Sequence, residues 1–314
     1  MSIPGEDPDG ARVTEIPLEQ PEPFDLDLTV RSHGFYDLAP WSYDADRGVL
    51  SRPLRLAGGR VVVAAVRRRG GRLVARVDSP RPPGPRDAAE VRRQLRICLA
   101  LDEDLGPFYA RVRAIEPSLR WAAERGAGRL LRSPTVFEDM LKTLCTTNCT
   151  WALTRIMVRN LVDAAGGEGP GGVRAFPTPS ALADRPEAFF REVIRAGYRA
   201  GAMRTIARAV ASGALDVERW RDPTIDAEAL AGAIAELPGF GPYATEHLLR
   251  LLGRYDHLAL DSWSRAKLAR LRGKRRVPSD ATMRRWFAPF GAFAGLAMWL
   301  EVTADWHGAT PTWP

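Results

Sequence analysis

Leu237-Pro238-Gly239-Phe240-Gly241-Pro242-Tyr243-Ala244 is a glycine-punctuated turn between two stretches of helical period, and Asp261 follows twenty residues after Gly241. Glycines at 239 and 241 permit positive φ and close backbone approach. The N–H groups they leave exposed, at the positive end of the following helix, suit an anion such as a phosphate. Asp261, within Leu260-Asp261-Ser262-Trp263, stands where it can cap a helix beginning at Ser262. The same carboxylate could stabilise positive charge developing on a sugar, or orient a water. An ordinary helix corner and an ordinary cap account for either feature alone; together they point to chemistry on DNA.

Other chemistries are poorly supplied. Cys98, Cys145 and Cys149 are an odd, sparse set, unsuited to a disulfide framework. Cys145 and Cys149 can share a helix face, but no histidine or further cysteine stands near them to hold zinc or an iron–sulfur cluster, and they read as buried thiols. With 45 basic and 38 acidic residues the chain carries +7, which is compatible with nucleic acid. Only Lys142, Lys267 and Lys274 are lysines; the excess of arginine is accounted for by coding bias, and it leaves few amines for Schiff-base chemistry. A hydrophobic content of 45% over 314 residues fits a soluble globular protein with a sizeable core. No apolar run is expected to approach the roughly 18–20 residues of a membrane span. The acidic, Pro- and Gly-rich start lacks the order of a signal peptide, so a disordered leader over 1–20 and a cytoplasmic protein are expected.

These groups need a scaffold. Phe24 to Val30 alternates with period two, and Val61–Val66 and Leu73–Val77 flank Arg67 to Arg72 with Gly70-Gly71, the pattern of a hairpin with a basic loop. Pro80 to Arg86 breaks every period and marks a boundary. Beyond it the pattern is helical: Asp87 is placed to cap a helix through Val91, Leu95, Cys98 and Leu99. Ser133-Pro134-Thr135 opens another, with Val136, Met140, Leu141 and Leu144 on one face and Pro134 in its first turn. A further helix runs from Trp151 to Leu161, and Gly166 to Gly172 reads as a flexible loop. Helices are then expected near 186–195, 199–212, 226–236, 242–253, 261–271, 279–287 and 290–304.

Taken in order, these residues resemble the helix-hairpin-helix superfamily of base-excision DNA glycosylases, in particular its 3-methyladenine DNA glycosylase II and 8-oxoguanine branches. Leu237 to Asp261 is similar to the family's helix-hairpin-helix, Gly/Pro-rich loop and aspartate. Phe24 to Tyr43 is similar to the opening strands of its N-terminal β-domain. Val136 to Asn148 resembles the helix and turn that fill the hole left by a flipped base, with Thr146-Thr147-Asn148 at the turn. Gly197-Tyr198-Arg199-Ala200 and Arg285-Trp286-Phe287-Ala288-Pro289-Phe290-Gly291 resemble two further family stretches. The resemblance implies an α+β fold: an N-terminal antiparallel β-domain over 21–82, then a mainly helical glycosylase bundle over 83–314 containing a helix-hairpin-helix at about 226–253.

It also implies roles. Asp261 would be catalytic. Leu237, Gly239, Gly241 and Tyr243 would hold the DNA backbone, and Asn148 would fill the gap. Tyr243, His247, Trp263, Trp286 and Phe290 would line the base pocket, with His247 a candidate acid for neutral bases. Side chains would bind no metal and no cofactor would be required, although hairpin carbonyls near Gly239 could hold a monovalent cation (Na+ or K+). The partner would be double-stranded DNA carrying a damaged base, bound by a monomer associated with the bacterial nucleoid.

Departures from the family pattern narrow the expectation. Tyr243 stands where bifunctional members carry a lysine, and a phenol forms no Schiff base, so a monofunctional enzyme without lyase activity is expected. Gly295, His247 and Trp263 replace residues associated with 8-oxoguanine. Aromatic pocket residues instead suit a cationic alkylated purine, through cation–π terms of about 0.5–2 kcal/mol each. Trp299 is expected in the core. A helix-hairpin-helix protein that binds DNA or senses lesions without breaking a bond is the alternative.

Overall fold

The computed structural model describes residues 12–79 and 81–309. Strand β1 (Arg12–Leu18) lies inside the expected leader and pairs antiparallel with the strand Arg72–Ser79, so of that leader only residues 1–11 lie outside the description. Helix α1 (Leu26–Val30) replaces the strand expected from the Phe24–Val30 alternation. The Asp25 carboxylate accepts from the Leu28 N–H at 2.9 Å and caps the turn, a local signal that overrides period two. Strands β2 (Ser42–Asp44), β3 (Val49–Arg55), β4 (Val61–Arg69) and β5 (Arg72–Ser79) complete an antiparallel sheet of order β1-β5-β4-β3-β2. The basic stretch is strand rather than loop: Arg69 pairs with Arg72, and only Gly70-Gly71 turns, with φ of 58° and 80°. Both signs suit the tight hairpin whose twist matches the strands.

Helix α2 (Pro85–Cys98) starts at Gly84 and Pro85, not at Asp87, which lies in its first turn and pairs with Arg60. Its Val91, Leu95 and Cys98 pack with Leu50, Val62, Ala75 and Val77, so α2 covers the sheet and shares its core. By packing, the sheet's unit therefore runs past residue 82. Helices α3 (Gly106–Ile115) and α4 (Arg120–Arg125) open the second core.

Helix α5 (Val136–Thr146) is its axis, with every residue from Val136 to Cys145 buried. Thr135 is its cap and Pro134 lies before it, outside the first turn. The four expected apolar residues are inside, but so are Glu138, Asp139 and Lys142 on the opposite side. Lys142 Nζ is 2.7 Å from Glu138, and Arg52 Nη2 of β3 reaches the same carboxylate at 2.9 Å, joining sheet to helix. Asp139 accepts from the Ser133 N–H at 2.8 Å and faces Arg221 at 3.4 Å.

Helix α6 (Trp151–Ala165) is capped by Thr150. The glycine run after it is partly ordered as β6 (Gly167–Glu168), paired with β7 (Arg174–Ala175). Helices α7 (Pro179–Ala183) and α8 (Ala200–Ala211) flank a π-helical turn at Phe189–Val193. Then come α9 (Ala227–Ala235), α10 (Pro242–Leu251), α11 (Ser262–Leu271), α12 (Asp280–Phe287) and α13 (Ala294–Thr303).

The stretch Asp280–His307 reaches the length and mean hydropathy (1.3) of a membrane span, correcting the expectation that no stretch does. Its most apolar 18-residue window is 67% buried inside the protein, and the stretch bends at Gly291, where φ is 57° and ψ −127°, so it serves the core.

Candidate functional site

Where the two units meet, a cavity of about 790 Å³ opens to the surface. Its lining includes Tyr243 and His247 of α10, Asp261 and Trp263 at the start of α11, and Trp299 and Trp306 from the C-terminal helices. His33, Gly34 and Phe35 come from the segment after α1, and Thr146 and Trp151 from the facing ends of α5 and α6.

Asp261 is the N-cap of α11 and half-buried. Its Oδ1 accepts from the Ser264 N–H at 2.7 Å, and Ser264 Oγ accepts from the Asp261 N–H at 2.9 Å, a reciprocal capping box. The box fixes the carboxyl, and Oδ2 has no hydrogen bond among the described residues, so it remains for whatever enters the cavity. The segment leading to Asp261 is equally constrained. Ala259 has φ of 51°, an unfavourable left-handed conformation for a residue with a Cβ. The Gly295 N–H donates to Tyr255 O at 2.6 Å, and buried Arg250 donates to Leu258 O at 3.0 Å. A Cβ on Gly295 would run into His257 O. Gly295 is thus the point where α13 crosses this segment and does not line the cavity; Trp299, one turn further on, does.

The wall opposite is built by close approach. Trp151 lies over Gly34, where an added Cβ would sit 2.6 Å from the indole, and its Nε1–H donates to Asp37 at 2.9 Å. Trp263, Trp299 and Trp306 form a cluster with ring centroids 5.6–6.2 Å apart. Lys267 Nζ stands 5.1 Å from the Trp263 ring centre, held at 2.7 Å by Asp305 and outside the cavity lining.

Two histidines meet in the deeper wall, their ring centroids 6.1 Å apart. His33 Nε2–H donates to Leu131 O at 2.6 Å, while its buried Nδ1 has no hydrogen-bond partner among the described residues. Burial, offset only partly by that bond, lowers the His33 pKa to about 4. His247 stacks on Tyr243 at 5.8 Å and 23°, and its Nε2 is also buried without a partner. Burial, then the charge of Arg250, lowers its pKa well below the ordinary histidine value. A shift toward the neutral form leaves His247 a poor proton donor and counts against its expected role as an acid. Burial and then the Asp261 charge raise the Tyr243 pKa, so the phenol stays protonated beside the carboxylate.

The turn between α9 and α10 is exposed at Gly239 and Gly241, with Phe240 buried beneath it and Leu237 half-buried against the helical core. Gly239 has φ of 85°, and an added Cβ would sit 2.8 Å from Leu144 of α5. Neither the Gly239 nor the Gly241 N–H donates a backbone hydrogen bond among the described residues. Nearby, Asn148 tips the α5–α6 turn with φ of 44° and is exposed beside Tyr198, which is 62% exposed. Arg199 ties that turn through Thr147 Oγ1 at 3.1 Å.

Asp261, Tyr243, His247 and Trp263 therefore share one cavity, with the glycine turn and Asn148 on the surface. Trp286 and Phe290 do not join them. Trp286 packs on Arg272, 4.7 Å from the guanidinium, and Phe290 is buried against Phe287. Conversely His33, Trp151, Trp299 and Trp306 line the cavity without having been expected there; Gly34, cut to fit an indole, is their nearest trace in the sequence.

No family model matches the sequence, and no curated protein matches it. Solved structures do match. The 3-methyladenine DNA glycosylase from Archaeoglobus fulgidus superposes with a TM-score of 0.73 at 22% identity, covering 94% of this chain and 99% of its own. The chain has the fold of a DNA glycosylase. MBOgg1 in complex with a low-affinity DNA ligand shares that glycosylase fold, with a TM-score of 0.68, 19% identity and coverage of 96% and 98%. So does apo Clostridium acetobutylicum 8-oxoguanine glycosylase/lyase, at 0.64, 18% identity and coverage of 86% and 93%. Coverage of 94–96% takes in the sheet as well as the helices, so the N-terminal unit is part of the shared fold.

Proposed function

We propose that the protein is a monofunctional DNA N-glycosylase that hydrolyses the glycosidic bond of a flipped, damaged base, an alkylated purine. The observation that carries this reading is Asp261, capped at one oxygen and open at the other, inside a cavity with four tryptophans. The fold shared with glycosylases of alkylated and oxidised bases supports the class of reaction.

The exposed Gly239 and Gly241 amides hold a phosphate of the damaged strand, with arginines adding salt-sensitive affinity. Asn148 enters the duplex where the nucleotide leaves it, at a cost of a few kcal/mol that damage reduces. The base stacks among Trp151, Trp263 and Trp299; indole faces attract a positively charged ring. As the bond stretches, Asp261 Oδ2 stabilises the cationic sugar and orients the attacking water. A cationic base leaves as a neutral molecule and needs no acid, in keeping with a neutral His247. No lysine lines the cavity among the described residues, and Tyr243 cannot form a Schiff base, so strand cleavage is not part of this reading.

A monovalent cation belongs to the proposal as a structural ion. The Pro238 and Gly239 carbonyls accept no hydrogen bond among the described residues and fit such an ion, whose charge would strengthen the phosphate contact. The protein would act as a cytoplasmic monomer on double-stranded DNA.

Base release from DNA carrying alkylated, oxidised and deaminated bases tests the reading. Release of alkylated purines is expected, and Asp261→Asn, which keeps the cap, should slow it by roughly 10²–10⁴-fold. Full activity in that variant, or a borohydride-trapped adduct dependent on a lysine, would overturn it. The capping box also favours a second reading, since Asp261 already has a structural duty: a lesion-sensing binder would hold alkylated DNA and release no base.

A further inference from the structure

Outside the cavity, three side chains of metal-ligand type converge. Glu228 lies in the first turn of α9, and Asp256 and His257 lie between α10 and α11; one ligand atom from each falls within 4.8 Å of the other two. His257 Nε2 is 3.6 Å from Asp256 Oδ2 and 3.8 Å from Glu228 Oε1. Those separations are too long for hydrogen bonds. Yet in a ring that is 19% exposed, the Nε2 atom is itself shielded from solvent and has no hydrogen-bond partner among the described residues. A buried ring nitrogen aimed between two carboxylates that it does not touch is uncommon in a folded protein and calls for an occupant.

Direct charge-assisted hydrogen bonds would bring these atoms to about 2.7–2.9 Å. A metal ion is the better fit. Ligands about 2.0–2.2 Å from a tetrahedral zinc stand roughly 3.3–3.6 Å apart along each edge. The two gaps to His257 are slightly wider and that between the carboxylates is within 4.8 Å; Glu228, whose side chain is 80% exposed, is free to close them. The other two ligands are held by backbone: Gly295 N–H grips Tyr255 O at 2.6 Å on one side and Arg250 grips Leu258 O at 3.0 Å on the other.

We propose that Glu228, Asp256 and His257 form a site for a zinc-type divalent ion, with water completing the shell. An imidazole with two carboxylates favours such ions over Mg2+ or Ca2+, which seek oxygen alone. The ion would tie the first helix of the glycine turn to the segment that ends at Asp261. This inference does not depend on the proposed enzyme activity.

The experiment titrates the full, chelator-treated chain at neutral pH with Zn2+, Co2+ and Mg2+ in separate arms. Binding is followed by calorimetry, thermal unfolding and, for Co2+, the visible absorption of a low-coordinate site. One equivalent of Zn2+ should bind and raise the unfolding temperature, Co2+ should develop colour, and Mg2+ should do neither. His257→Ala and Glu228→Gln should each weaken Zn2+ binding about tenfold or more, and Cys149→Ser should leave it unchanged. Glu228→Gln, at an exposed position, serves if His257→Ala does not fold. Zn2+ affinity unchanged in Glu228→Gln, no Zn2+ binding by the wild type, or equal binding of Mg2+ would each overturn the proposal.

Discussion

At the seam between sheet and helices, Arg52, Glu138 and Lys142 are as buried as His33 and His247 in the cavity wall, but they are paired with opposite charge and the histidines are not. Glu138 receives Arg52 and Lys142 together, and those two cations hold its pKa below the ordinary value against the penalty of burial. At the cavity the same penalty meets no carboxylate partner, so both imidazoles are pushed toward the neutral form, each with a nitrogen that has no hydrogen-bond partner among the described residues. Buried polarity that is cancelled on the spot fixes how the units dock. Buried polarity left open beside a cavity is available to a ligand. The exposed pair Glu187–Arg191 makes the contrast plain: it has a contact of 2.7 Å and nothing to desolvate.

Four measurements would break or sharpen this contrast. The largest effect on stability is expected from Glu138→Ala, which leaves Arg52 and Lys142 facing each other without a counterion. Denaturant unfolding should show a loss of about 3–5 kcal/mol. A loss below 1 kcal/mol would mean that the seam does not depend on its charges.

The pH dependence of stability should carry the mark of the histidines. Unfolded, His33 takes a proton near 6.5, and folded it resists down to about 4, so the unfolded chain binds the extra proton between those values. The His33 contribution is complete above about 6.5 and is lost as pH falls, the loss reaching roughly 3 kcal/mol near pH 4. Asp139, raised by burial to about 6, acts in the opposite sense, its contribution fading as pH rises. The informative comparison is therefore wild type against His33→Gln, which can still donate to Leu131 O. Their unfolding curves should converge with acidification, and a constant gap would count against a neutral buried His33.

Gly295→Ala should cost about 1–3 kcal/mol through overpacking against the backbone of His257. Because that backbone leads to Asp261, base release should fall more than stability alone explains. Equal, small losses in both would detach Gly295 from the site. The smallest effect is reserved for Glu187→Ala, expected to change stability by no more than about 1 kcal/mol and to vanish in high salt.

Much of the frame was legible because its signals are local. Thr150 and Asp226 cap helices within a residue of where sequence alone places their starts, and Gly70-Gly71 turns the hairpin it announces. Asp261 sits at the cap its neighbours imply. The failures are equally physical. Phe24 to Val30 has strand periodicity, but one carboxylate cap decides the matter for helix. The apolar face of α5 carries no sign that Glu138 and Lys142 are buried as well, because the residue that covers them, Arg52, lies 86 positions earlier in the chain. The cavity was hardest to foresee. Trp299 reaches it from α13 while Trp286 and Phe290 do not, and His33 meets His247 across more than 200 residues of chain. Period and propensity say which face of an element is apolar, not which other element that face will meet.

Trp151, Trp263, Trp299 and Trp306, four of the chain's nine tryptophans, border the same cavity. Their placement makes the protein its own optical probe. A planar ring seated among these indoles would quench or shift their emission. Trp263 and Trp306, with centroids 5.6 Å apart, are close enough for excitonic coupling in circular dichroism. Occupancy of the cavity can be followed without a label, and separately from the breaking of any bond.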